Sequence, residues 1–149
     1  MKNNSMITQE LIPYILALII NNNNEVLLLY RINNNYFSNH YGLPGGKIDN
    51  NESGKQALAR ELFEELGIIF ASEDVEFVHV MHFMGETGPC IALLYTLHTW
   101  HGDLYNKEPK KHEHLAWFPL DKLPENIIPR HRMALERISQ KIMYSENNW

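Results

Sequence analysis

Three glutamates carry the strongest chemical signal in this chain: Glu61, Glu64 and Glu65. If they lie on a helix, their i, i+3, i+4 spacing gathers them on an arc of about 100°. Carboxylates so crowded repel one another unless a cation neutralises them. No Lys or Arg lies one turn C-terminal to relieve this face, and the only nearby base is Arg60. Acidic residues on a helix are commonly just a solvated face. An unrelieved set of hard oxygen donors instead suits Mg²⁺, with Mn²⁺ as a substitute, since both ions keep several waters and bridge to phosphate oxygens. The chemistry such a face supports is attack of water on a phosphoryl group, with a carboxylate taking the proton.

The elements that must position these groups are legible around them. Ser53 and Gln56 have capping-box spacing and Gly67 supplies a left-handed stop, so a helix is predicted from about Gly54 to Leu66. Leu58, Leu62, Phe63 and Leu66 form the arc next to the carboxylates and are expected to bury the helix on a sheet. Ahead of it, Tyr41-Gly42-Leu43-Pro44-Gly45-Gly46 marks tight backbone geometry. Tyr14 to Ile20 and Glu25 to Ile32 read as two antiparallel strands joined through the Asn21 to Asn24 turn. Val75 to Met84 and Ile91 to His101 read as two more, and Leu115 to Phe118 as a short fifth. Pro129 opens a second helix whose Leu135, Ile138 and Ile142 recur at helical spacing. Strands mixed with two helices indicate an α/β sandwich with a helix on each face of the sheet.

With 149 residues, 44% of them apolar and 21% charged, the chain suits one ordinary domain with a polar, frayed start over Met1 to Glu10. A formal net charge of -5 disfavours a grip on a nucleic acid polymer. The same charge means that a polyphosphate must be held through cations or a local basic pocket. The longest apolar stretch, Tyr14 to Ile20, is too short to cross a bilayer and the start lacks a cleavable leader, so a cytoplasmic location is expected, with no membrane partner. The single cysteine, Cys90, agrees with a reducing compartment and reads as a small core side chain. Among the eight histidines, His112 and His114 share a face if extended but find no third ligand. His79 and His82 share none, which speaks against zinc.

The segment from Gly46 to Ile68 resembles the Nudix box, G-x5-E-x7-R-E-U-x-E-E-x-G-U with U aliphatic. It agrees at Gly46, Glu52, Arg60, Glu61, Leu62, Glu64, Glu65, Gly67 and Ile68. The resemblance implies a Nudix-type α/β/α sandwich with a mixed sheet and a magnesium-dependent hydrolase that cleaves a pyrophosphate bond in a nucleoside diphosphate derivative. It further implies that Glu61, Glu64 and Glu65 ligate metal, that Glu52 and Arg60 brace the ligand helix, and that Gly46 lets the backbone approach metal and phosphate. Glu61 is the first choice of catalytic base, with Glu64 and a loop carboxylate as alternatives.

Outside the box the chain is similar to the MutT type of Nudix enzyme. On that likeness Arg31 would contact the nucleotide, Glu108 after Trp100, Gly102 and Lys107 would add a metal ligand, and Asn126 after Pro124 would read a purine base. Lys47 would add charge near the phosphates. Plain readings stand beside these: Arg31 as a strand-end residue, Lys47 and Glu108 as solvated side chains, Asn126 as a turn former. The expected reaction takes a (deoxy)nucleoside triphosphate, oxidised purines included, to the monophosphate and pyrophosphate, in a monomer or homodimer. ADP-ribose or a nucleotide sugar is a rival substrate, and a noncatalytic nucleotide-sensing domain a rival class. The complete set of box carboxylates favours the enzyme.

Overall fold

The computed structural model describes residues 9–149; the expectation of a frayed start over Met1 to Glu10 lies, as far as residue 8, outside them. Strand β1 (Ile12–Ile19) is apolar on both faces and takes the interior of a five-stranded mixed sheet. It runs parallel to β6 (Pro89–Leu97) along its whole length, and β6 is antiparallel to β5 (Val75–Met84). The opposite edge of β1 is taken by β4 (Gly45–Lys47). A second sheet holds β2 (Glu25–Arg31) between β3 (Tyr41–Gly42) and β7 (His112–Pro119).

The two-residue period of the central strands decides which helix each side chain meets. Ile15, Ala17 and Ile19 of β1, with Leu27 and Leu29 of β2, pack with Leu58, Leu62 and Leu66 of helix α1 (Gly54–Leu66). Leu16, Leu18, Val26 and Leu28 face the other way, toward Ala134 and Leu135 of helix α2 (Pro129–Ser139). Two separate cores result, one under each helix. The α/β/α sandwich with a mixed sheet is therefore observed.

Several local expectations change. The Asn turn forms, with Asn24 at φ 59 and the Asn21 side chain accepting from Asn23 and Glu25, but β1 and β2 meet only at the Ile20–Val26 bridge and then part into different sheets. The reason lies at Gly45: φ is +137°, and a Cβ there would strike the Ile15 carbonyl. A glycine backbone thus occupies the edge of β1 that a hairpin partner would use. Phe63 turns out half-exposed rather than buried, and the Lys107 ammonium sits 3.7 Å from its ring centroid. Helix α2 ends at Ser139, because Lys141 adopts φ 59 and turns the chain into β8 (Tyr144–Asn147), which pairs parallel to β5. Ile142 consequently lies in the turn and is exposed.

Candidate active site

Helix α1 begins with the anticipated capping box: the Ser53 side chain accepts from the Gln56 N–H and the Gln56 side chain from the Ser53 N–H. It ends at Gly67, φ 70, whose N–H bonds Phe63 O. Neither end explains why Glu64 and Glu65 occupy the last turn, where the helix dipole disfavours anions. Arg60 supplies part of the answer. Its guanidinium forks onto Glu52, with Nη2–Oε1 2.6 Å and Nε–Oε2 3.1 Å, and donates to the Lys47 carbonyl at 3.0 Å. Nη1 reaches Glu61 at 2.8 Å and Glu64 at 3.5 Å. The acidic face is thus partly relieved from its N-terminal side, where the sequence alone left it bare. The Glu52 bonds hold the Arg60 guanidinium more firmly protonated and draw the Glu52 carboxyl below its usual range.

Glu61 and Glu65 turn inward while Glu64 stays half-exposed. Burial lifts the Glu61 carboxyl above the ordinary range; Arg60 opposes this, and Glu64 and Glu108 reinforce it. Burial lifts Glu65 well above that range, against the pull of the Gly45 N–H, which donates to its Oε2 at 2.8 Å. A Cβ on Gly46 would run into the Glu61 carboxylate, so Gly46 clears the space in which that carboxylate sits.

The segment after Gly102 closes over the C-terminal end of α1. Tyr105 N–H bonds Leu66 O at 3.2 Å and Lys107 N–H bonds Glu65 O at 3.0 Å, satisfying end carbonyls of the helix. Lys107 Nζ adds a bond to Phe63 O, placing positive charge at the negative end of the dipole. This docking carries Glu108 to Glu65. Glu65, Glu108 and His112 each offer a ligand atom, and these atoms all lie within 4.8 Å of one another. His112, read from sequence as lacking further ligands, is therefore grouped with two carboxylates. It is buried, burial lowers its pKa to about 4, and its Nδ1 has no hydrogen-bond partner among the described residues. A bulge explains its aim. Leu29 pairs with Leu115 but Arg31 with His112, so β7 carries an extra residue there and the pairing is re-registered beside the site.

Arg31, on the other strand of that bulge, also has an unpartnered buried nitrogen, Nε, among the described residues. It lines a cavity of about 470 Å³ with Tyr14, Lys47, Phe83 and Arg130, and the walls include Gly45 and Gly46 at the carboxylate end. Three of the residues put forward from sequence, Arg31, Lys47 and Gly46, therefore share one cleft. Asn126 does not join them among the described residues: its Nδ2 donates to Asn39 O at 3.1 Å and its carbonyl accepts from Tyr41 N–H. The side chain of Asn126 thus ties its loop to Asn39 beside the cleft, and its main-chain carbonyl, not its amide, meets Tyr41. Arg130 was missed. Its guanidinium lies 5.0 Å from the Phe37 ring centroid and 4.9 Å from that of Phe83, an arrangement suited to cation–π attraction. The available sequence signal was a cation in the first turn of a helix, against the dipole. Cys90 is buried, as expected, and also borders this cavity.

An α/β/α sandwich in which Gly45 and Gly46 join the α1 carboxylates to a cation-lined cleft has the Nudix architecture, and the chain belongs to the Nudix family: the NUDIX domain model matches residues 11–138. Its relatives are MutT-like. The chain is 29% identical over 100 residues to an 8-oxo-dGTP diphosphatase of Haemophilus influenzae, covering 67% of this chain and 72% of that one. It is 36% identical over 72 residues to a CTP pyrophosphohydrolase of Escherichia coli, which is 48% of each chain. Among solved structures, a MutT NUDIX hydrolase from Burkholderia pseudomallei superposes with a TM-score of 0.78 at 32% identity, covering 86% of this chain and 98% of that one. No helix among the described residues is long and apolar enough to cross a membrane.

Proposed function

We propose that the protein is a single-domain, magnesium-dependent pyrophosphohydrolase of (deoxy)nucleoside triphosphates, releasing the monophosphate and pyrophosphate, with oxidised purine nucleotides as the leading candidates. The observation that carries this reading is the cleft itself. Its volume suits a small ligand, its Gly45–Gly46 wall adjoins the carboxylates of Glu65 and Glu61, and Arg31, Lys47 and Arg130 line it in a chain of formal net charge -5. The likeness to the 8-oxo-dGTP diphosphatase of Haemophilus influenzae supports the purine preference, and the likeness to the CTP pyrophosphohydrolase makes cytidine the main competitor. The cytoplasm, where nucleotide pools turn over, is the fitting location.

The donor set fits a divalent cation. Glu65 is almost fully buried with no cationic side chain bonded to it among the described residues, and it lies against a second carboxylate. Glu61, Glu64, Glu65 and Glu108 would hold the metal. When bound, Mg²⁺ supplies charge neutralisation for the phosphates and acidifies a coordinated water. The chain's own residues do the rest. Arg60, anchored on Glu52 and the Lys47 carbonyl, fixes the rotamers of Glu61 and Glu64. Glu61, half-buried beside Arg60, would accept a proton from the attacking water. Arg31 and Lys47 orient the phosphate chain, and the rings of Phe83 and Phe37 beside Arg130 give the base a surface to stack on.

A panel of nucleoside triphosphates, ADP-ribose and nucleotide sugars, with products identified by ion-exchange chromatography, tests this. Monophosphate and pyrophosphate from a purine triphosphate, lost in chelator and restored by Mg²⁺, is the expected result. Turnover only of ADP-ribose or sugars, or of nothing at all, overturns it. Hydrolysis in ¹⁸O-labelled water then identifies the attacked phosphorus.

A further inference from the structure

We propose that His112 is a metal ligand through its imidazole, forming with Glu65 and Glu108 a mixed oxygen–nitrogen position that favours Mn²⁺ over Mg²⁺. The inference rests on the metal-dependent reading above and deepens it, since the family resemblance implied oxygen ligands alone.

Three observations carry it. A ring nitrogen of His112 and carboxylate oxygens of Glu65 and Glu108 lie within 4.8 Å of one another, a separation that a central ion can span at ordinary ligand distances. His112 is 6% exposed, and its Nδ1 has no partner among the described residues, although an unbonded ring nitrogen in a buried place is costly. Each carboxylate is also held by one oxygen and free at the other. Gly45 N–H takes Glu65 Oε2, Lys111 Nζ takes Glu108 Oε1 at 2.9 Å, and the remaining oxygens have no hydrogen bond among the described residues. The loop that presents the pair is itself rigidly bonded. Asn106 accepts from Glu108 N–H through Oδ1 and donates through Nδ2 to His112 O at 2.7 Å, while Glu108 O accepts from the N–H groups of Lys111 and His112.

The chemical consequence follows from ligand type. Mg²⁺ takes oxygen ligands and sheds water reluctantly, whereas Mn²⁺, the first of the transition-ion series, shares the carboxylate preference but tolerates an imidazole nitrogen better. One nitrogen in an otherwise oxygen set tilts the position toward Mn²⁺.

The test is pulsed EPR on the full chain loaded with substoichiometric Mn²⁺ and no nucleotide. The expected spectrum shows modulation from a directly coordinated ¹⁴N that changes to a ¹⁵N pattern when the protein is grown on ¹⁵N-histidine, and that disappears in His112→Gln. Competition titration should show the ratio of Mn²⁺ to Mg²⁺ affinity falling about tenfold in that variant, the scale on which a single ligand partner acts. Bound Mn²⁺ without histidine coupling overturns the inference and leaves the hydrolase reading standing; no bound Mn²⁺ overturns both. If His112→Gln does not fold, the labelled wild type decides, because His112 is the one histidine grouped with these carboxylates among the described residues. A coupling that survives in folded His112→Gln assigns the nitrogen elsewhere and equally overturns the proposal.

Discussion

Replacing Glu65 by Gln should remove turnover while making the metal-free protein more stable. The amide keeps the volume, its oxygen can still accept the Gly45 N–H that now meets Oε2, and its NH₂ can face Glu108. At 4.8 Å, the outer limit of their separation, and an effective dielectric of about 20, two carboxylates repel by about 3.5 kcal/mol. Lys111, paired to Glu108, offsets part of that, so a gain of about 2 kcal/mol is expected when both groups are ionised. For a chain of this size that raises Tm by about 4–8 °C. The sign of the pH dependence is set by burial. The folded pKa of Glu65 lies well above its unfolded value, so its contribution to stability is full below the ordinary carboxylate range and is lost as pH rises through the raised value. The advantage of Glu65→Gln should therefore be small near pH 5 and grow toward pH 9. Thermal melts in chelator across that range, with magnesium-dependent turnover in parallel, make the check. A variant that melts lower than wild type at pH 9, or one that retains near-normal turnover, refutes the reasoning.

Four further outcomes are expected. Arg60→Ala should lower kcat by about 10- to 100-fold, because Glu61 and Glu64 lose the group that orients them, and melting should fall as well; unchanged kcat would remove its positioning role. The rate should climb with pH above the ordinary carboxylate range, since burial raises Glu61, and a Glu61→Gln pH profile with the same limb would assign the base elsewhere. Arg130→Ala should raise KM for triphosphates several-fold with a smaller effect on kcat, and equal KM values in steady-state kinetics would place the nucleotide away from Phe37 and Phe83. Asn126→Ala should leave the preference among bases intact and cost about 1 kcal/mol of stability through its bond to Asn39, whereas a flattened preference would restore it as a base reader.

The sequence by itself determined what local rules govern. Ser53, Gln56 and Gly67 bounded α1 to the residue, because caps act within one turn. The stretch Val75 to Met84 marked β5 in full, and the spacing of Glu61, Glu64 and Glu65 gathered an acidic helix face. Only the tertiary structure decided the rest. The parting of β1 and β2 depends on which chain reaches an edge first, and Gly45 does so through a backbone approach that apolar patterning does not encode. Phe63 stands at the outer edge of the apolar arc and stays half-exposed, with Lys107, forty-odd residues away in the chain, seated over its ring. β8 escaped notice since YSEN has neither length nor apolar alternation, and pairing with β5 alone makes it a strand. His112 and Arg130 stood in the sequence as ordinary residues. A strand bulge brought one to Glu65 and Glu108, and two aromatic rings gathered the other into the cleft, because both placements arise from contacts between segments far apart in the chain.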